Sequence, residues 1–168
     1  RFVLPMLTVE DASPRCAECL NDPLSARMLN VPPRPVTVDQ LKELIRAIDQ
    51  YEKLALGIFV LGSNRHIGVF RLRFIDGRKR MVPGVLIGEA EWRNMGVLTE
   101  VTNAAGTYFF ETFGLEGIVA AVPAYNAYII KYLEDREWQL VRRMPGKKHS
   151  PTAEPAALLV YELPRATW

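Results

Sequence analysis

Cysteine is scarce: the chain of 168 residues has two, Cys16 and Cys19. This lone C-x-x-C falls in an expected helix, whereas redox motifs usually follow a strand. Without two further ligands nearby it also falls short of a metal site, so packing is the expected role and no metal is expected. Histidine is equally sparse. His66 opens an expected strand and His149 sits in a polar loop, each lacking a second ligand or a partnered nucleophile, so both read as structural or solvated. Charge of one sign is lacking too. The 21 basic and 19 acidic side chains leave a formal charge of +2, too balanced for a broad nucleic-acid-binding surface. No apolar run approaches the roughly 18 residues that span a bilayer. The opening Arg1-Phe2-Val3-Leu4 leads into a strand and not a signal peptide, so the expected location is cytoplasmic, away from membranes. Internal repeats and low-complexity segments are absent as well.

What is present is apolar content. At 49% hydrophobic, residues 1–168 can fill one core and are too few for two typical domains, so a single domain is expected. The stretch that organises the chain runs from residue 85 to 105. Val85, Leu86 and Ile87 are strand-like and run into Gly88, and a mostly polar turn follows from Glu89 to Met95. Val97, Val101, Ala104, Ala105, Tyr108 and Phe109 then recur at helical spacing, and Gly114 closes that helix. A strand thus delivers the chain to a helix start at residues 94–99, where unpaired N–H groups and the peptide dipoles favour a phosphate.

Around this centre, a first strand is expected over 2–9 and a helix after Thr8–Asp11 to about Leu20, broken by Asn21-Asp22-Pro23. Residues 31–35, VPPRP, read as a connector. Thr37 and Gln40 form a capping box, Val36 and Leu41 a staple, and Leu41, Leu44, Ile45 and Ile48 one apolar helix face. The period then shifts to two. Strands are expected over 54–60, 66–75 and 81–87, the second with Phe70, Leu72 and Phe74 on one face and Arg71 and Arg73 on the other. Asp76-Gly77 signals a hairpin, and Arg78, Lys79 and Arg80 read as its solvated tip. A strand over 118–122, a helix over 123–136, a strand over 138–144, a polar loop over 145–155 and a strand over 157–163 complete the order β-α-α-β-β-β-α-β-α-β-β.

Arg93-Asn94-Met95-Gly96-Val97-Leu98 resembles the R/Q-x-x-G-x-G/A turn of the GNAT superfamily of N-acetyltransferases, and Thr99-Glu100 resembles the T-E that often follows. Leu98 stands where that family has Gly or Ala. The opening strand, the T-x-x-D and the short helix ending in N-D-P resemble the ribosomal-protein alanine acetyltransferase branch. The element order above is also that of the GNAT fold, so the resemblance covers nearly the whole chain.

The resemblance implies an α/β fold: a mixed, mostly antiparallel sheet of six to seven strands with splayed fourth and fifth strands, and about four helices. It implies acetyl-CoA as cosubstrate. The amides of residues 93–99 would bind the pyrophosphate, and the backbone of Leu86, Ile87 and Gly88 the pantetheine arm. Asn126 matches the Asn of the family's N-x-x-S-x-x-x-Y-E-K-x-G-F, and reads equally as a pantetheine ligand or a helix cap. Ile129 and Leu133 replace that motif's Ser and Tyr, and Glu137-Trp138 its Gly-Phe. Tyr132 and Tyr128 are then the candidates to protonate the departing thiolate, and Glu89 and Glu91 those for a general base acting through water. Arg27, Asn30 and Arg34 border the family's acceptor groove, and Lys131 and Arg93 are candidates for the coenzyme's 3′-phosphate; solvated surface is the plainer reading of all five. The implied acceptor is a protein N-terminus or a small amine, and homodimers are common in the family. Two alternatives stand beside it: a catalytically weak acyl-CoA-binding module, and a transferase of longer acyl chains, for which the small Gly84, Gly88 and Ala121 leave room.

Overall fold

A computed structural model describes residues 1–28, 35–146 and 156–168, the side chains of 26–28 excepted. Its centre is an antiparallel meander of β2 (Lys53–Val60), β3 (Arg65–Ile75) and β4 (Arg80–Ile87). Alternation sets its faces. Phe70, Leu72 and Phe74 are buried against α4 (Val97–Phe113), whose Val101, Ala105 and Phe109 join the same apolar cluster. Full burial of side chains this large stabilises by about 1.5–3 kcal/mol each, so this seam anchors the helix to the sheet.

Beyond α4 come β5 (Gly117–Pro123), α5 (Ala127–Glu134), β6 (Gln139–Met144) and β7 (Leu158–Pro164). With β1 (Phe2–Val3), the sheet has seven strands in the order β1-β2-β3-β4-β5-β7-β6. Only β4 and β5 are parallel neighbours, and their ladder holds just two pairs, Arg80 with Gly117 and Met81 with Ile118. The opposite face of the meander carries α1 (Pro14–Asn21), α2 (Pro23–Met28) and α3 (Val38–Arg46). The expected α/β GNAT fold with its mixed sheet is therefore present, with five α-helices among the described residues.

Several local expectations are corrected. The first strand stops at Val3, because Pro5 has no N–H for the ladder; its carbonyl instead accepts from Gly57 N–H at 2.9 Å, and pairing resumes as a single bridge from Met6 to Leu56. Asn21-Asp22-Pro23 is a joint between two helices and not a simple break. Asp22 Oδ2 accepts from Ser25 N–H at 3.1 Å, and Pro23 begins α2 where no N–H is required. The fourth helix expected from 123 starts at Ala127, because Pro123 still pairs with Leu158 in β5 and β7. On α4, Ala104 and Tyr108 are exposed, while Thr102, Gly106 and Phe110 are buried. The stripe shifts because Trp168, from the far end of the chain, packs on Phe110 with ring centroids 5.2 Å apart. The basic run at 78–80 is packed and not merely solvated: Arg78 lies 4.2 Å over the Tyr51 ring, and Arg80 pairs with Asp76 and Glu162. The capping box of α3 forms as read, with Gln40 N–H 3.2 Å from Thr37 Oγ1 and Thr37 N–H 2.9 Å from Gln40 Oε1. Asn30, Arg34, His149, most of the 31–35 connector and most of the 145–155 loop lie outside the described residues, as does the Arg27 side chain.

Candidate active site

After Met81 the ladder between β4 and β5 ends, and the strands part. Gly88 N–H donates to Ile67 O at 2.9 Å. In an antiparallel ladder alternate residues face alternate neighbours, so Leu86 and Gly88 spend their backbone groups on β3, while those of Val85 and the N–H of Ile87 point into the gap, the Ile87 carbonyl being taken by Arg93. The three-residue expectation for the pantetheine edge is thus narrowed by register. The Gly88 amide is already engaged.

A cavity of about 300 Å³ occupies the gap, walled by Val85, Leu86 and Ile87 of β4, the turn through Arg93, Asn94 and Gly96, Val97 and Leu98 of α4, and Asn126, Tyr128 and Ile129 around the start of α5. The turn is built by left-handed backbone at Asn94 (φ 64°) and Gly96 (φ 77°). Gly96 is the N-cap of α4 and offers no side-chain acceptor, so the first N–H groups of that 17-residue helix are left for an external partner. A Cβ on Gly96 would meet only Arg1 Nη2, at 3.6 Å, so the approach to those amides is open. An anion fits this end of the cavity on backbone geometry and dipole alone. The Leu98 side chain, as its identity implied, is part of the wall.

Leu24 and Ser25 of α2, together with Trp92, complete the wall and were missed from sequence. The signal for α2 was the N-cap pattern Asp22-Pro23-Leu24-Ser25, overshadowed by its resemblance to a helix stop. Arg93, a candidate phosphate contact, turns inward: its Nε donates to Ile87 O at 3.1 Å, and its Nη2 to Gly88 O at 3.0 Å and Asp22 Oδ2 at 3.0 Å. It clamps the end of β4 to the joint between α1 and α2.

The candidate acid and base residues separate. Tyr128, 58% exposed, lines the cavity beside Asn126. Tyr132 faces a different cavity, shared with Thr102, Trp138 and Trp168, and lies under the Arg136 guanidinium at 3.9 Å. Asn126 is 5% exposed and caps α5, its Oδ1 accepting from Ile129 N–H at 3.3 Å, while also lining the cavity. Thr99 Oγ1 accepts from Arg136 at 3.0 Å and is absent from the cavity wall. Lys131 pairs with Asp135 at 2.9 Å on the surface. Glu89 is 8% exposed and held by Arg15 and by Arg65, the latter at 2.7 Å. The two Arg15 hydrogen bonds, and then the one from Arg65, lower its pKa to about 2 against the pull of burial. A carboxylate so strongly held is a feeble proton acceptor. Glu91 is paired with Arg65 at 2.6 Å and exposed. Neither carboxylate lines the cavity. Among the described residues no cluster of three metal-ligating side chains is found, and no helix is long and apolar enough to cross a membrane.

A strand pair that parts over an uncapped helix N-terminus leaves a cleft with an anion-favouring end. Residues 1–135 match the acetyltransferase (GNAT) domain model, and the chain belongs to that family of N-acetyltransferases, whose acyl donor is acetyl-CoA. Solved structures agree in fold. A probable acetyltransferase superposes with TM-score 0.85 at 19% identity, covering 99% of this chain and 94% of that one. A spermidine N-acetyltransferase from Vibrio cholerae, in complex with CoA and spermine, gives 0.84 at 15% identity, covering 99% and 96%. A putative phosphinothricin N-acetyltransferase gives 0.77 at 16% identity, covering 98% of each chain. No curated protein sequence matches. None of these likenesses singles out the ribosomal-protein alanine acetyltransferase branch.

Proposed function

We propose that residues 1–168 form one domain that transfers an acetyl group from acetyl-CoA directly to the primary amine of a small molecule. The observation that carries this reading is the parting of β4 from β5 after Met81, which leaves the backbone of Val85 and the N–H of Ile87 facing a cavity that ends at the open start of α4. Acetyl-CoA supplies the activated thioester carbonyl. The chain supplies the rest: the amides of Val97 and Leu98 at the start of α4 hold the phosphates, and the free backbone edge at Val85 orders the pantetheine arm. The Ile87 N–H is the donor for the oxygen on which negative charge develops, a contribution of about 3 kcal/mol to the barrier where such a group is preorganised. Tyr128 is the proton donor to the leaving sulfur, because it and not Tyr132 lines the cavity. Glu89 serves as an anchor, and the acceptor enters as its free base; once the C–N bond has formed and the C–S bond breaks, the proton shed by the nitrogen passes to water, from which Tyr128 regains the proton it gave to the sulfur.

Leu98 in the cavity wall favours a second reading, a coenzyme-binding module of little turnover. The longer-acyl alternative loses support at its glycines. A Cβ on Gly88 would lie 2.4 Å from Cys19 Sγ, and Gly84 faces the Arg71 side chain, so neither vacancy widens the gap.

Calorimetric titration with acetyl-CoA on the native chain and on Gly96→Asp tests the reading, followed by product detection over a panel of amines. Micromolar binding lost in Gly96→Asp, with an acetylated product, is the expected result. Binding without product on any amine supports the module; no binding in the native chain removes both.

A further inference from the structure

The face of the meander that carries α1 and α3 holds a charge arrangement that folding alone does not explain. Strand register sets Lys53 directly opposite Arg73, and Arg71 opposite Ala55 on one side and Gly84 on the other. Arg71 and Arg73, two apart on β3, share one face with Lys53. Like charges directly opposite in a sheet are destabilising. Neither arginine has an ion-pair or hydrogen-bond partner among the described residues. Asp49, the carboxylate that feels Lys53, is committed to the backbone N–H groups of Tyr51, Glu52 and Lys53, each at 2.9 Å.

These three cations border a groove of about 470 Å³, within the size range of small-molecule sites. Its opposite wall is Leu41, Leu44 and Ile45 of α3 with Ile48 just past the helix end, and Leu44 is left 53% exposed. Among the described residues no acidic side chain lines it. The groove reaches Leu86 on β4, which also walls the coenzyme cavity, so the two spaces meet at the strand where the thioester carbonyl would lie.

We propose that this groove takes the acceptor, a small primary amine with an apolar body and an anionic group, the body against α3 and the anion on Arg71 and Arg73. The inference rests on the acetyltransferase reading above and specifies its substrate class. Such a ligand removes the repulsion between the cations and covers Leu44. A polyamine, the acceptor class in the name of the spermidine N-acetyltransferase, would bring further positive charge to a floor that is already positive.

The test uses the full chain and three sets of probes: carboxylate-bearing amines of graded apolar size, such as glycine, leucine and phenylalanine; leucinamide and phenylalaninamide, which lack the anion; and spermidine. Binding of each is measured by calorimetry without coenzyme, and kcat/KM with saturating acetyl-CoA, corrected for the fraction of free amine. The expected order is phenylalanine and leucine above their amides, by about tenfold on the loss of one charge-assisted contact, and spermidine last. Arg71→Gln with Arg73→Gln should erase the preference for the carboxylate while leaving acetyl-CoA affinity unchanged. The variant should also unfold no more easily than the native chain, since it relieves repulsion. Preferential binding of spermidine, absence of binding by every carboxylate-bearing amine, or an equal loss for acids and amides in the variant would each overturn the proposal. Failure of the acetyltransferase reading appears separately, as absence of acetyl-CoA binding in the titration above.

Discussion

Cys16 Sγ lies 3.0 Å from His66 Nδ1, and His66 Nε2 lies 2.9 Å from the Gly68 carbonyl oxygen. A carbonyl only accepts, so Nε2 carries a proton and Nδ1 faces the sulfur. The imidazole is stacked on Phe59 at 4.5 Å, which fixes its plane. Fifty positions apart in sequence, these two residues read singly as a packed thiol and a structural or solvated imidazole. Together they form a thiol with an adjacent base.

Burial raises the Cys16 pKa, but the His66 and Ser13 hydrogen bonds outweigh it and the net shift is downward. Burial raises the Cys19 thiol, and the nearby Glu89 charge adds to that. Iodoacetamide at neutral pH should therefore modify Cys16 about tenfold faster than Cys19, as read by peptide mass spectrometry. His66→Phe should bring the two rates together. Equal rates in the native chain would show that the sulfur does not gain from its neighbour.

Glu89 titrates near 2 in the fold against an ordinary 4.5. A carboxyl whose folded pKa is depressed contributes stability that is fully present above the unfolded value and is lost as pH falls through the folded one. Unfolding midpoints should accordingly drop between about pH 4.5 and pH 2, and Glu89→Gln should flatten that part of the profile. At neutral pH the same substitution should cost about 2 kcal/mol, the worth of charge-assisted hydrogen bonds on a group of low exposure. With Glu89 in the proposed role of an anchor, kcat/KM in the native chain should follow the ionisation of the amine and show no limb near the pKa of Glu89.

Asn126 both caps α5 and lines the cavity. Asn126→Ala should lower stability by about 1 kcal/mol, and Asn126→Ser should restore most of it. Acetyl-CoA affinity separates the roles. If Ser restores stability and leaves affinity reduced, the amide touches the coenzyme; recovery of both would assign it to capping alone.

Leu98 walls the same cavity where its family carries Gly or Ala. Leu98→Ala should tighten acetyl-CoA binding several-fold in a titration, at a modest stability cost because the side chain is only half-buried. Unchanged or weaker binding would mean that Leu98 contacts the coenzyme instead of crowding it.

Local chemistry was legible in the chain itself. The alternation of Phe70, Leu72 and Phe74, the Thr37–Gln40 box, and Gly96 and Gly114 at the two ends of α4 depend on interactions a few residues long, and each appears as read. So did the family turn, because its shape is a property of six consecutive backbones. Elements whose limits depend on a distant partner were not legible. The end of β1 and the start of α5 depend on pairing with other strands, and the buried stripe of α4 on a tryptophan from the far end of the chain.

At the site the division is similar. Composition and the turn at 93–98 already specified a balanced, apolar-cored chain with a helix start just after Gly96. Only the tertiary structure decided that Arg93 turns inward, that Glu89 is neutralised by Arg15 and Arg65, that Tyr128 and not Tyr132 meets the cavity, and that Cys16 finds His66. The physical reason is range. A turn or cap is determined by dihedral preference and neighbouring hydrogen bonds, whereas a side chain's charge state and reach are set by whatever the sheet's register places beside it.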